Sequence, residues 1–126
     1  MDLSSNGIST LRFDYGSYGK GIREVQNVID AVSFLQKQVQ STGVLGYSFG
    51  AVAASNAAAL ARVDGFVAMS ILPRVDRLEA NLSFDCPKLF VHGRRDKIAS
   101  YSDFENLYAK ARGRKKKLLL DTDHFF

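Results

Sequence analysis

Short apolar runs alternate along this chain with stretches in which apolar residues recur every three or four positions. Residues 7–14 read as a strand that ends at a glycine-rich turn, Tyr15-Gly16-Ser17-Tyr18-Gly19. Ile22, Val25, Ile29, Val32, Leu35 and Val39 then follow at helical spacing, predicting one apolar face on a helix of roughly five turns. A buried strand over 42–47 precedes an alanine-rich helix over 51–62, whose small side chains suit close packing under a sheet. Further strands are expected over 65–71, stopped by Pro73, over 87–92 and over 117–121. Val75, Leu78 and Leu82 mark a short helix, and residues 101–112 another.

Strands apolar on both sides, alternating with helices, predict the α/β class. The expectation is one domain over 1–126, a mostly parallel sheet of about five strands with helices on both faces. Right-handed crossovers would line up the strand carboxyl ends along one edge, where open sheets build their sites.

The 126 residues are 46% hydrophobic and 24% charged, a globular balance. The net charge of +4 collects in residues 112–117. No aromatic residues interleave there for base stacking, so a solvated turn is expected and no nucleic-acid partner. Cys86 is the only cysteine, which excludes an internal disulfide and fits a reducing cytoplasm. With no membrane-length apolar run and no secretion-type start, a cytoplasmic protein without a membrane partner is expected.

The chemistry concentrates in Gly46-Tyr47-Ser48-Phe49-Gly50, a Gly-x-Ser-x-Gly motif between a predicted strand and a predicted helix. The two glycines are expected to let the backbone turn tightly and leave Ser48 exposed at the sheet edge. A serine hydroxyl needs a base to take its proton as it attacks, and an imidazole needs a carboxylate to fix its tautomer. Asp96 and His124 both follow predicted strands, so the chain order is serine, acid, histidine. Asp96 also suits a helix N-cap, and His124 a surface position near a frayed end. Asp123 is the rival acid, ranked lower because adjacent side chains rarely converge on one ring. His92, at a strand end beside a glycine, reads as packing and backbone support. Two histidines without a nearby cysteine partner suggest no zinc or other metal site, and no cofactor is implied.

Together these segments resemble the catalytic half of an α/β-hydrolase-fold serine hydrolase, of the small esterase type akin to dienelactone hydrolase and prolyl-oligopeptidase-like enzymes. Residues 11–19 are similar to the segment after that family's fourth strand. Residues 46–50 match its nucleophile elbow, 91–96 its acid loop and 123–126 its histidine loop. The resemblance implies Ser48 as nucleophile, Asp96 as acid, His124 as base and the Phe49 backbone N–H as an oxyanion donor. Tyr15, Gly16 and Tyr47 are the expected substrate-binding residues, with Tyr15 or an amide near Gly16 a candidate second donor. Two helices and two strands use up the stretch from Ser48 to Asp96, so no lid is expected and the pocket should be open.

The same resemblance implies that the family's first three strands and the loop bearing its second oxyanion N–H lie outside this chain. The segment at Ile8 would then pair directly with the strand at Val44, or a second copy or complementing chain would fill the gap, or the sequence is a truncation. The expected function is hydrolysis of a small acyl substrate, an ester, thioester or amide, through an acyl-enzyme. The alternative is a catalytically silent binding or assembly subunit.

Overall fold

The computed structural model describes residues 3–16, 18 and 20–126. After a short 3₁₀ turn at Ser4–Asn6, the elements are α1 (Ile22–Gln36), β1 (Gly43–Tyr47), α2 (Phe49–Ala61), β2 (Gly65–Met69), β3 (Arg74–Val75), β4 (Leu78–Glu79), β5 (Lys88–Gly93), α3 (Tyr101–Lys110) and β6 (Lys115–Leu120). The four longer strands form a parallel sheet in the order β1-β2-β5-β6, and β3 pairs with β4 as a separate antiparallel hairpin. The fold is α/β, as the alternating pattern predicts.

Four particulars differ from the sequence expectation. Residues 8–14 form no strand, so the sheet has four strands and not about five. The segment carries suitable residues, with Ile8, Leu11 and Phe13 all exposed, but it does not pair with β1. A strand exists only when a neighbour takes its backbone N–H and C=O groups. Secondly, the stretch expected as a helix around Val75 and Leu78 is the β3–β4 hairpin. Asp76 stands in its two-residue turn at φ 51°, the left-handed backbone such turns demand. Three apolar residues at helical spacing were too few to outweigh that turn.

Thirdly, the helices cover one face of the sheet instead of two. Phe66, Ala68 and Phe90 are buried, and with Val44 and Leu119 they pack on residues of α1, α2 and α3 in one core. The alternate residues point the other way, and Leu45 (59% exposed), Leu89, Leu118 (48%) and Leu120 remain open. The strand order accounts for this. Each successive strand is added on the same side, without the reversal of order that sends later crossovers to the opposite face.

The basic run is also shorter as a turn than expected. Lys115, Lys116 and Lys117 already belong to β6, an edge strand. Lys115 Nζ donates to the carbonyls of Tyr108, Ala109 and Ala111 at the end of α3, and Lys117 pairs with Glu105 at 2.7 Å. A cation at a helix carboxyl end meets unsatisfied carbonyls and the negative end of the dipole. No described helix is long and apolar enough to cross a membrane.

Helix α2 carries the packing behind Ser48. Ala51, Ala53, Ala54, Ala57 and Ala58 are all buried, so the helix lies close on the sheet through side chains of a single carbon. An added branch has no space there. Ala57→Leu should lower stability by about 1–3 kcal/mol, whereas Leu60→Ala, at a position 71% exposed, should change it by about 0.5 kcal/mol or less, both read from urea unfolding.

Candidate active site

Ser48 joins β1 to α2 with φ 53° and ψ −121°, a conformation that costs a side-chain-bearing residue roughly 1–3 kcal/mol. The turn is held from both sides. Ser48 N–H donates to Met69 C=O in the neighbouring strand at 2.9 Å, and Ser48 C=O accepts from Ala51 N–H at 3.0 Å. The two glycines act differently from expectation, because the left-handed residue is the serine itself. Gly46 is needed for space: a Cβ there would lie 2.5 Å from the Ala51 Cα and from the Gly50 carbonyl oxygen. At Gly50 a Cβ would meet only the Tyr15 hydroxyl, at 3.7 Å.

Asp96 closes the turn after β5, its N–H donating to Gly93 C=O. Its side chain has no exposed surface. Oδ1 accepts from the amides of Ile98 and Ala99 at 2.9 and 2.8 Å, and Oδ2 accepts from His124 Nδ1 at 2.7 Å. The N-cap role that Asp96 also suits belongs to Ser100, whose hydroxyl accepts from Asp103 N–H. Burial by itself would raise the Asp96 pKa. The bonds from His124, Ala99 and Ile98 outweigh it and hold the carboxyl below its ordinary range. The buried Ser70 hydroxyl faces the same carboxylate and adds to this, though outside good hydrogen-bond geometry.

His124 is buried in the loop after β6, and its Nε2 lies 2.9 Å from Ser48 Oγ. Nδ1 faces a carboxylate and so carries the proton, leaving Nε2 as the acceptor from the serine hydroxyl. Ser48, Asp96 and His124 thus form one hydrogen-bonded line although they come from three separate loops. Asp123 is not part of it, since its Oδ1 accepts from Phe125 N–H within its own loop.

Gly93, which sequence reading did not single out, brings these loops together. A Cβ there would lie 2.4 Å from Asp123 C=O and 2.5 Å from Thr122 C=O. Beside it, Arg94 and Arg95 amides donate to the carbonyls of Leu120 and Thr122. A glycine three residues before the acid was the available signal. Tyr47 supports the same loop from the elbow side: its hydroxyl donates to His124 C=O at 2.8 Å, and its ring lies 5.4 Å from the imidazole.

Phe49 is the first residue of α2, so its N–H has no acceptor within the helix. Its ring is flanked edge-on by Tyr15 at 6.3 Å and Tyr18 at 5.8 Å. Tyr15 is tied down by Asn27, whose side-chain amide donates to its carbonyl, and burial and then Glu24 raise its phenol pKa, keeping the hydroxyl protonated. Tyr18 bonds Asp76 in the hairpin turn. Gly16 is left-handed at φ 74° with open space around it, and Ser17 and Gly19 of the same turn lie outside the described residues. An open cleft of about 440 Å³ borders the other side of His124, lined by Lys97, Ile98 and Phe125 among others. Among the described residues no group of three His, Cys, Asp or Glu side chains is placed to hold a metal.

No family model matches the sequence, and no curated protein does. Solved structures do. A protein of the alpha/beta hydrolase superfamily from Xanthomonas campestris pv. campestris superposes with a TM-score of 0.84 at 18% identity, over 97% of this chain and 74% of its own. An alpha-beta serine hydrolase homologue from Coxiella burnetii gives 0.77 at 17% identity, over 87% of this chain and 54% of that one. An a/b serine hydrolase without lid from Xanthomonas campestris gives 0.68 at 20% identity, over 87% and 51%. The chain therefore has the α/β-hydrolase fold and spans from about half to three quarters of the length of these neighbours.

Two measurements check this geometry. Gly46→Ala and Gly93→Ala should each unfold the chain or lower its stability by several times what Gly50→Ala does, with Gly50→Ala within about 1 kcal/mol of the parent. Equal effects at all three would contradict the close approaches. For pH, burial lowers the His92 pKa, against the pull of Asp96 and the Ala99 carbonyl, and Asp96 is lowered as described. Both groups bind protons less readily folded than unfolded, so acid favours the unfolded chain. The urea midpoint should fall as pH drops below the ordinary histidine value of 6.5, and fall again through the carboxylate range. A midpoint constant down to about pH 4 would rule this out.

Proposed function

We propose that the chain is a serine hydrolase that cleaves a small ester, thioester or amide through an acyl-enzyme on Ser48. The reading rests on one observation, the unbroken line of hydrogen bonds from Ser48 Oγ through the imidazole of His124 to the buried Asp96 carboxylate. In that arrangement His124 Nε2 takes the hydroxyl proton as Oγ attacks the acyl carbon. The Asp96 carboxylate stabilises the imidazolium and keeps its ring oriented. The oxyanion forms beside the Phe49 N–H at the amino end of α2, where the helix dipole also favours negative charge. His124 then protonates the leaving group, and water, deprotonated by the same nitrogen, releases the acid.

Phe13, Tyr15, Tyr18 and Phe49 form an edge-packed aromatic shelf, and Phe49 directly follows the nucleophile. It favours an uncharged apolar acyl group, with Tyr15 and the open backbone at Gly16 as its binding residues. Tyr47 lines the opposite side, next to Phe126. The Phe49 N–H is the one oxyanion donor assigned among the described residues, and lack of a second would cost about 3 kcal/mol in the transition state and slow turnover.

A second reading, a binding or assembly subunit, is favoured by the uncovered face of Leu45, Leu89, Leu118 and Leu120 and by the open edge at β1. A partner there would be a second copy or a complementing chain. A fluorophosphonate probe separates the two. The enzyme reading expects covalent labelling that Ser48→Ala abolishes and His124→Ala slows by roughly three orders of magnitude. Absence of labelling in cooperatively folded protein would instead favour the subunit.

A further inference from the structure

His92 is fully buried at the end of β5, yet it lies outside the line from Ser48 to Asp96. Its ring stacks on Phe104 of α3, with centroids 4.3 Å apart and planes 9° from parallel. Its Nε2 lies 2.9 Å from the Ala99 carbonyl oxygen. A carbonyl only accepts, so Nε2 carries the ring proton and Nδ1 is a bare lone pair. That nitrogen is buried and has no partner among the described residues. A phenyl ring would stack on Phe104 equally well and remove the unpartnered nitrogen. What it would lack is the hydrogen bond to Ala99.

That bond reaches the site through one residue. Ala99 C=O accepts from His92, and Ala99 N–H donates to Asp96 Oδ1 at 2.8 Å. The 96–99 turn is thereby gripped at both ends of Ala99, while Ile98 N–H holds the same carboxylate oxygen. Oδ2 is left aimed at His124. We infer that His92 is a positioning residue: its hydrogen bond to Ala99 sets the angle at which the Asp96 carboxylate meets His124, and so orients the imidazole that faces Ser48. A second proton, on Nδ1, would make a buried cation within the electrostatic reach of Asp96, His124 and Glu105, with the Tyr101 ring centroid 6.5 Å away. The bond to Ala99 needs only the neutral ring.

The kinetic consequence rests on the acyl-transfer reading, but the geometric one does not. The test uses the full chain and its His92→Phe, His92→Gln and Asp96→Asn variants. The first readout is the downfield proton resonance of His124 Nδ1–H, identified by its loss in Asp96→Asn. The second is the rate of fluorophosphonate labelling. Folded His92→Phe should shift or broaden the resonance and label roughly tenfold to a hundredfold more slowly, with probe affinity unchanged. His92→Gln, whose amide donates from near the position of Nε2, should recover most of both. A parental resonance and rate in His92→Phe, or no recovery in His92→Gln, would overturn the inference. If His92→Phe does not fold, the ¹⁵N spectrum of the parent decides: a neutral ring protonated on Nε2 near pH 7 supports it, and a proton on Nδ1 defeats it. If the parent never labels, the hydrolase reading fails, and the resonance still decides the role of His92.

Discussion

A carboxylate without exposed surface has to be fully bonded or give up its charge, and Asp96 meets that demand by joining two loops. One oxygen takes both amides of its own turn, and the other takes the imidazole of the last loop. This arrangement ties the carboxyl end of β5 to that of β6, and His124 carries the tie across to the elbow after β1. The close approach at Gly93 makes the joint possible, because any side chain there would push the histidine loop away. The rest of the site follows from this one buried charge and the lack of a Cβ three residues before it.

The sheet supplies the framework at low cost. Parallel strands put the loops after β1, β5 and β6 on one edge, so residues far apart in sequence need only short loops to meet. The same strand order leaves one face without helices. Leu45, Leu89, Leu118 and Leu120 on that face are ordinary core residues in chemical type, exposed only because nothing described lies over them. The solved neighbours are longer than this chain, which spans 51% to 74% of the three compared.

Local pattern was readable wherever local physics decides. Strand and helix alternation predicted β1, α2, β2, β5 and α3 within a few residues, since each has its own period or its own glycine and proline boundaries. It failed where a partner decides. Residues 8–14 have the composition of a strand and no ladder, and the residues around Val75 turn at Asp76 because of its left-handed backbone. The glycines of the elbow were legible as a motif, but their work was not. Gly46 is needed for the approach of α2, Gly50 has room to spare, and the strain belongs to Ser48.

By itself the sequence determined the α/β class, the strand-to-helix turn at Ser48, and the order of hydroxyl, carboxylate and imidazole along the chain. Those depend on periodicity and on residue type, which are local. Only the tertiary structure decided that the three groups meet, that Asp96 and not Asp123 faces the ring, that one sheet face is bare, and that His92 reaches the carboxylate through Ala99. Those depend on distances across loops, which are set by how strands align and by where a missing side chain lets two backbones touch.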